Sequence, residues 1–142
     1  MAFFGFGKKA KKAVSEVKKF ENRDYMEAIV GGAILVACAD GDCSDDELDK
    51  LESIISTIPA LSNFKSEINT EIARFHKMVE TSFRTGKRQV LREIADIQGE
   101  EEQLEDLMDI LMTVAEADGE VDDVEKAIIE EIAKTIGVKA EW

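Results

Sequence analysis

The chain has 142 residues, 44% of them hydrophobic, a single proline and a formal net charge of −13. That is the length of one ordinary domain with enough apolar side chains for a core, which excludes a disordered polyelectrolyte. Ala, Glu, Lys, Ile and Leu dominate and strand formers do not cluster, so the composition favours helices.

The charge is unevenly spread. Residues 1–20 sum to +5, residues 21–73 to −9, residues 74–92 to +5 and residues 93–142 to −14. The acidic blocks argue against nucleic-acid binding and suit cations or basic partners. Two cysteines, Cys38 and Cys43, are too few for a disulfide scaffold and read as cytosolic thiols. The longest uncharged apolar run, Ala28 to Ala39, has twelve residues and is too short to span a membrane. No signal-peptide pattern or lipidation motif is expected at the amino terminus, where Ala2 follows Met1.

In chain order, Phe3, Phe6, Ala10, Ala13, Val17 and Phe20 fall at helical spacing, with six lysines mostly off that face. We read residues 1–22 as a basic amphipathic helix and residues 23–142 as the main helical domain. A second, unusually apolar helix runs from about Asp24 to Ala39 and stops at Asp40-Gly41. Ser44 and Glu47 fit a capping box for a third helix, which Pro59 ends. A fourth spans about Asn63 to Phe83, broken by Thr85-Gly86, and a fifth about Lys87 to Ile97, broken by Gly99. A sixth runs from about Glu101 to Ala117 and stops at Asp118-Gly119. Asp122 caps a seventh, Asp123 to Ile136, which Gly137 ends. The expectation is an all-α, compact bundle of about seven helices.

Two of the joints share a text. Residues 39–47 read ADGDCSDDE and residues 117–125 read ADGEVDDVE, 78 positions apart. Each follows an apolar helix, so the repeat suggests two pseudo-symmetric helical hairpins with acidic joints. Capping alone accounts for Gly41, Ser44, Glu47, Gly119, Asp122 and Glu125. It does not account for Asp40, Asp42, Asp118 and Glu120, which add negative charge beside a helix C-terminus, where the dipole disfavours anions. A hard divalent cation would offset that charge, because carboxylates and carbonyls are ligands of Ca²⁺ and Mg²⁺. Neither joint is an EF-hand loop, since the position requiring glycine holds Asp45 or Asp123. No Cys/His set with zinc spacing is evident, which argues against a structural Zn²⁺ site. Metal binding and capping with solvated charge both remain open on these residues.

ADGDCSDDE and ADGEVDDVE resemble the paired DG-x-x-[SD]-x-x-E motifs of the TerB family of tellurite-resistance proteins. The resemblance implies a compact helical domain, acidic metal-binding clusters and a cytoplasmic role in stress response with other Ter proteins, including the membrane protein TerC. By motif position the metal ligands are Asp40 and Glu47, then Asp118 and Glu125, with Asp42, Glu120 and Asp122 at matching polar positions. Ca²⁺ or Mg²⁺ heads the list of cations, followed by Mn²⁺. Cys43 departs from the motif's usual aliphatic residue, kept as Val121 in the second copy, and reads as packing.

The helix over residues 3–20 could lie on an anionic membrane or pack its lysines against the acidic body. The run Arg74, Lys77, Arg84, Lys87, Arg88, Arg92 reads as a solvated face paired with local acids. His76, the only histidine, reads as filler, and Met78, Met108 and Met112 as core. No catalytic constellation is evident, so the expectation is a non-enzymatic protein. The rival reading is an acidic protein-interaction module whose carboxylates meet basic partners without metal.

Overall fold

A computed structural model describes residues 7–41, 43–117 and 119–140, with side chains from residue 22 onward. Six α-helices are present and no strand among the described residues: α1 (Gly7–Ala37), α2 (Asp45–Ser56), α3 (Lys65–Thr81), α4 (Phe83–Ala95), α5 (Glu101–Glu116) and α6 (Asp123–Ile136). A short 3-10 turn, Pro59–Phe64, precedes α3 and carries proline in its first turn. The expected count of about seven α-helices is therefore corrected to six. The segments read as a first and second helix are one helix, α1. Between Phe20 and Asp24 the chain reads Glu-Asn-Arg, with no glycine or proline to break it. The contacts expected of the phenylalanines and lysines of residues 3–20 lie outside the described side chains.

α1 is the central column, touching each of the other five helices and the 3-10 turn. From Tyr25 to Val36 every residue except Glu27 is buried. Met26, Ile29, Ile34 and Leu35 are among the largest fully enclosed side chains. Gly31 and Gly32 let two neighbours come close. A Cβ on Gly31 would stand 3.2 Å from Val90 of α4, and one on Gly32 would stand 3.0 Å from Leu111 of α5. Met108 belongs to the core, and Met78 and Met112 pack half-buried against it.

Gly86 does a different job from the one its sequence context suggests. It is buried inside α4, and the break between α3 and α4 falls at Ser82. The Ser82 backbone is extended, and its Oγ accepts a hydrogen bond from the Thr85 N–H at 3.3 Å. A Cβ on Gly86 would meet the Val79 Cα at 2.9 Å, so glycine is there for close helix contact.

Beside α1 lies a charged cluster not foreseen in the sequence. Glu71 of α3 is the only buried charged residue among those described, and it accepts two hydrogen bonds from Arg74, at 2.6 and 2.9 Å. Arg23 reaches Glu27 at 3.2 Å, and Gln89 donates to Glu93 at 3.2 Å. Burial, then the neighbouring Glu93 and Glu71, push the Glu27 carboxyl up from 4.5 to about 7, against the pull of Arg23.

Two outcomes follow from this packing. Gly86→Ala adds a good helix former, worth about 1 kcal/mol in an open helix. Forcing a methyl against α3 costs about 1–3 kcal/mol. Urea denaturation is expected to find the variant less stable, and a more stable variant would contradict the close contact. Glu27 holds its proton more tightly in the folded chain than in the unfolded one. Its stabilising contribution is therefore complete below about pH 4.5 and is lost as pH rises to about 7. Glu27→Gln is expected to flatten the dependence of Tm on pH between about 5 and 8. An unchanged slope would assign the titration elsewhere.

Candidate metal centre

The two acidic joints share a run of matching hydrogen bonds. At the end of α1 the Gly41 N–H donates to the Cys38 carbonyl at 2.9 Å, and at the end of α5 the Gly119 N–H donates to the Glu116 carbonyl at 2.9 Å. Just before these, Ala39 N–H bonds to Val36 and Ala117 N–H to Val114, at 3.3 and 3.2 Å. Both turning glycines have positive φ, +86° and +108°, which only glycine adopts without strain. Ser44 Oγ then accepts from Glu47 N–H at 3.2 Å, and Asp122 Oδ1 accepts from Glu125 N–H at 2.7 Å. In the second joint Glu125 returns the bond to the Asp122 N–H at 3.3 Å, completing a capping box. The next helical bonds match as well, Leu48 to Ser44 and Lys126 to Asp122, both 3.0 Å. The repeated text thus encodes a repeated helix–turn–helix joint.

The carboxylates of these joints are not equivalent. Asp40, Glu120 and Asp122 are exposed, whereas Glu47 and Glu125 are half-buried. Glu47 and Glu125 line one small cleft of about 30 Å³ together with Ala37, Lys50, Leu51, Ile54, Val114 and Ala117. One acid from each joint therefore reaches the same place, where the C-terminal ends of α1 and α5 come together. Asp42 and Asp118 lie outside the described residues. Asp40, Glu120 and Asp122 do not line this cleft.

Chemically the cleft suits a small hard cation. It holds about the space of one water, its anionic groups are oxygens, and neither thiol nor imidazole lines it. A monovalent competitor lines the same cleft, the Lys50 ammonium.

A second group of ligand-type residues lies at the first joint. Cys38, Cys43 and His76 bring their sulfurs and one imidazole nitrogen within 4.8 Å of one another. The sequence pattern gave His76 no ligand-type partner; the fold sets it beside both cysteines. Cys38-x4-Cys43 was visible in the sequence, but His76 stands on α3, far along the chain, and only the fold joins them. Cys38 is buried and Cys43 half-buried. The hydrogen bond between the two thiols, then burial, then the negative charge of Cys43, Glu47 and Asp40 push the Cys38 thiol far above its ordinary range. His76 Nε2 lies 3.2 Å from Glu80 Oε2.

Within the basic run, Arg74 pairs with Glu71, and Lys87 pairs with Glu131 of α6 at 3.1 Å. Arg84, Lys87, Arg88 and Arg92 line an open groove along α4. No described helix is long and apolar enough to cross a membrane.

Comparison with known proteins gives one finding. The family model described as "Tellurite resistance protein TerB" matches residues 26–141, most of the chain and both joints. Neither the curated proteins nor the solved structures contain a significant match.

Proposed function

The chain belongs to the TerB family, and from that premise we propose that it is a non-enzymatic tellurite-resistance and stress-response protein that binds divalent cations through its paired acidic joints. The supporting observation is the shared cleft, where Glu47 of one joint and Glu125 of the other stand together. A cation there would neutralise charge from both joints at once and couple the hairpin α1–α2 to the hairpin α5–α6. In this reading the two hairpins act as a pseudo-symmetric pair. Asp40, Asp42, Asp118, Glu120 and Asp122 supply further oxygens around the joints or raise the local cation concentration. Ca²⁺ or Mg²⁺ suits the oxygen donors best, and Mn²⁺ is a third candidate.

Cation occupancy would set the charge and rigidity of one end of the molecule, and so its docking to a partner. The partners in this reading are Ter proteins, among them the membrane protein TerC. The chain would work in the cytoplasm, at the inner face of the membrane, with residues 3–20 in peripheral contact. The basic amphipathic segment, residues 1–22, would serve docking, and residues 23–142 the cation sites.

The presence of Lys50 in the cleft favours one alternative. An ammonium can supply the positive charge that a metal would otherwise bring, leaving the outer carboxylates to meet a basic protein partner directly. The two readings separate by experiment. Calorimetric titration of chelator-treated protein with Ca²⁺, Mg²⁺ and Mn²⁺ is expected to give saturable binding. Asp40→Asn/Asp118→Asn and Glu47→Gln should weaken it, and Lys50→Met should strengthen it by removing the competitor. At a cation concentration 100 times Kd, linkage predicts about 2.7 kcal/mol of added stability. No heat and no rise in Tm would overturn the metal reading and leave the interaction module.

A further inference from the structure

We propose that Cys38, Cys43 and His76 form a second metal site, selective for Zn²⁺ and distinct from the cleft between Glu47 and Glu125. Three elements build it. Cys38 follows directly on the end of α1, Cys43 stands in the first joint and His76 lies on α3. Their ligand atoms all lie within 4.8 Å of one another. In a tetrahedral zinc site, bonds of about 2.3 Å to sulfur and about 2.0–2.1 Å to nitrogen put ligand atoms about 3.5–3.8 Å apart. Closing round the ion therefore asks for at most about 1 Å of inward movement. Thiolate and imidazole together select borderline-soft cations, whereas Ca²⁺ and Mg²⁺ prefer the oxygens of the joints.

The surroundings fit as well as the ligands. Glu80 sits 3.2 Å from His76 Nε2, which would leave Nδ1 as the metal's ligand, and a carboxylate on one ring nitrogen is what orients a metal-binding imidazole and fixes its tautomer. The three residues line a cleft of about 560 Å³ that also contains Asp40, Glu80 and Ser82. Its size leaves the fourth coordination position open to water or a carboxylate, and gives the ion a way in. His76 and Glu80 are 24% and 72% exposed in their side chains, so the imidazole is held at the wall rather than sealed in the core. The spacing Cys38-x4-Cys43 lies within the range used by zinc sites.

Zinc bound here would tie the first acidic joint to α3. The second joint has Glu116 and Val121 at the positions matching Cys38 and Cys43, so this clamp belongs to one joint only. The two halves of the repeat would then differ in stiffness. The first joint would be pinned by zinc, and the second would not.

Cobalt(II) reports such a site directly, because thiolate-to-metal charge transfer requires sulfur ligands and strong d–d bands report a four-coordinate, tetrahedral shell. The reduced, chelator-stripped full chain is expected to bind one equivalent of Co²⁺ with both features. Zn²⁺ should bleach them and raise Tm. Cys43→Ser and His76→Gln, neither in the buried core, should keep their helical circular dichroism and lose the tetrahedral bands. Glu80→Gln should weaken Zn²⁺ about 10–100-fold. Absence of a charge-transfer band in the wild-type chain would overturn the site. So would equal Co²⁺ affinity in the wild type and both ligand variants.

Discussion

The burial of one stretch of α1 sets the rest. Between Tyr25 and Val36 a single residue, Glu27, escapes full burial, and the column touches every other helix. Each large aliphatic side chain enclosed there contributes about 1.5–3 kcal/mol. A helix cap contributes about 1 kcal/mol, and a charge beside a helix end about 0.3–1 kcal/mol. The joints therefore do not hold the fold together. They sit at the end of a column fixed by hydrophobic packing, and the fold tolerates the charge they concentrate.

That order of magnitudes explains why the joints can be both structural and functional. The positive-φ glycines and the Ser44 and Asp122 caps make each turn, and matching backbone hydrogen bonds recur in both copies. The core brings the C-terminal ends of α1 and α5 together, so Ala37, Val114 and Ala117 wall one cleft. Packing thus converts a sequence repeat into a meeting of two glutamates.

What the sequence disclosed follows the range of the interactions. Local signals read well: the stops at Gly41, Gly119 and Gly137, the caps at Ser44 and Asp122, and the bounds of α6. Features that depend on tertiary contact did not. The α1 continuity was missed because a change of composition at Asp24 looked like a boundary where no breaker stood. Gly86 looked like a turn because its reason, the approach of Val79, lies on another helix. The raised Glu27 carboxyl needs Glu93 and Glu71 from two other helices. The Cys38–Cys43–His76 group needs α3 to fold back on the first joint. For the acidic joints the repeat named the residues, but nothing in it told Glu47 and Glu125, which share a cleft, from Asp40, Glu120 and Asp122, which are exposed.

On the proposed function, one cation sits between the two joints. Crystals grown with Mn²⁺ and measured at its absorption edge locate that ion directly. One anomalous peak is expected in the cleft between Glu47 and Glu125, with the Lys50 ammonium displaced from it. A cleft with no peak and the Lys50 ammonium lying between the two glutamates would contradict it.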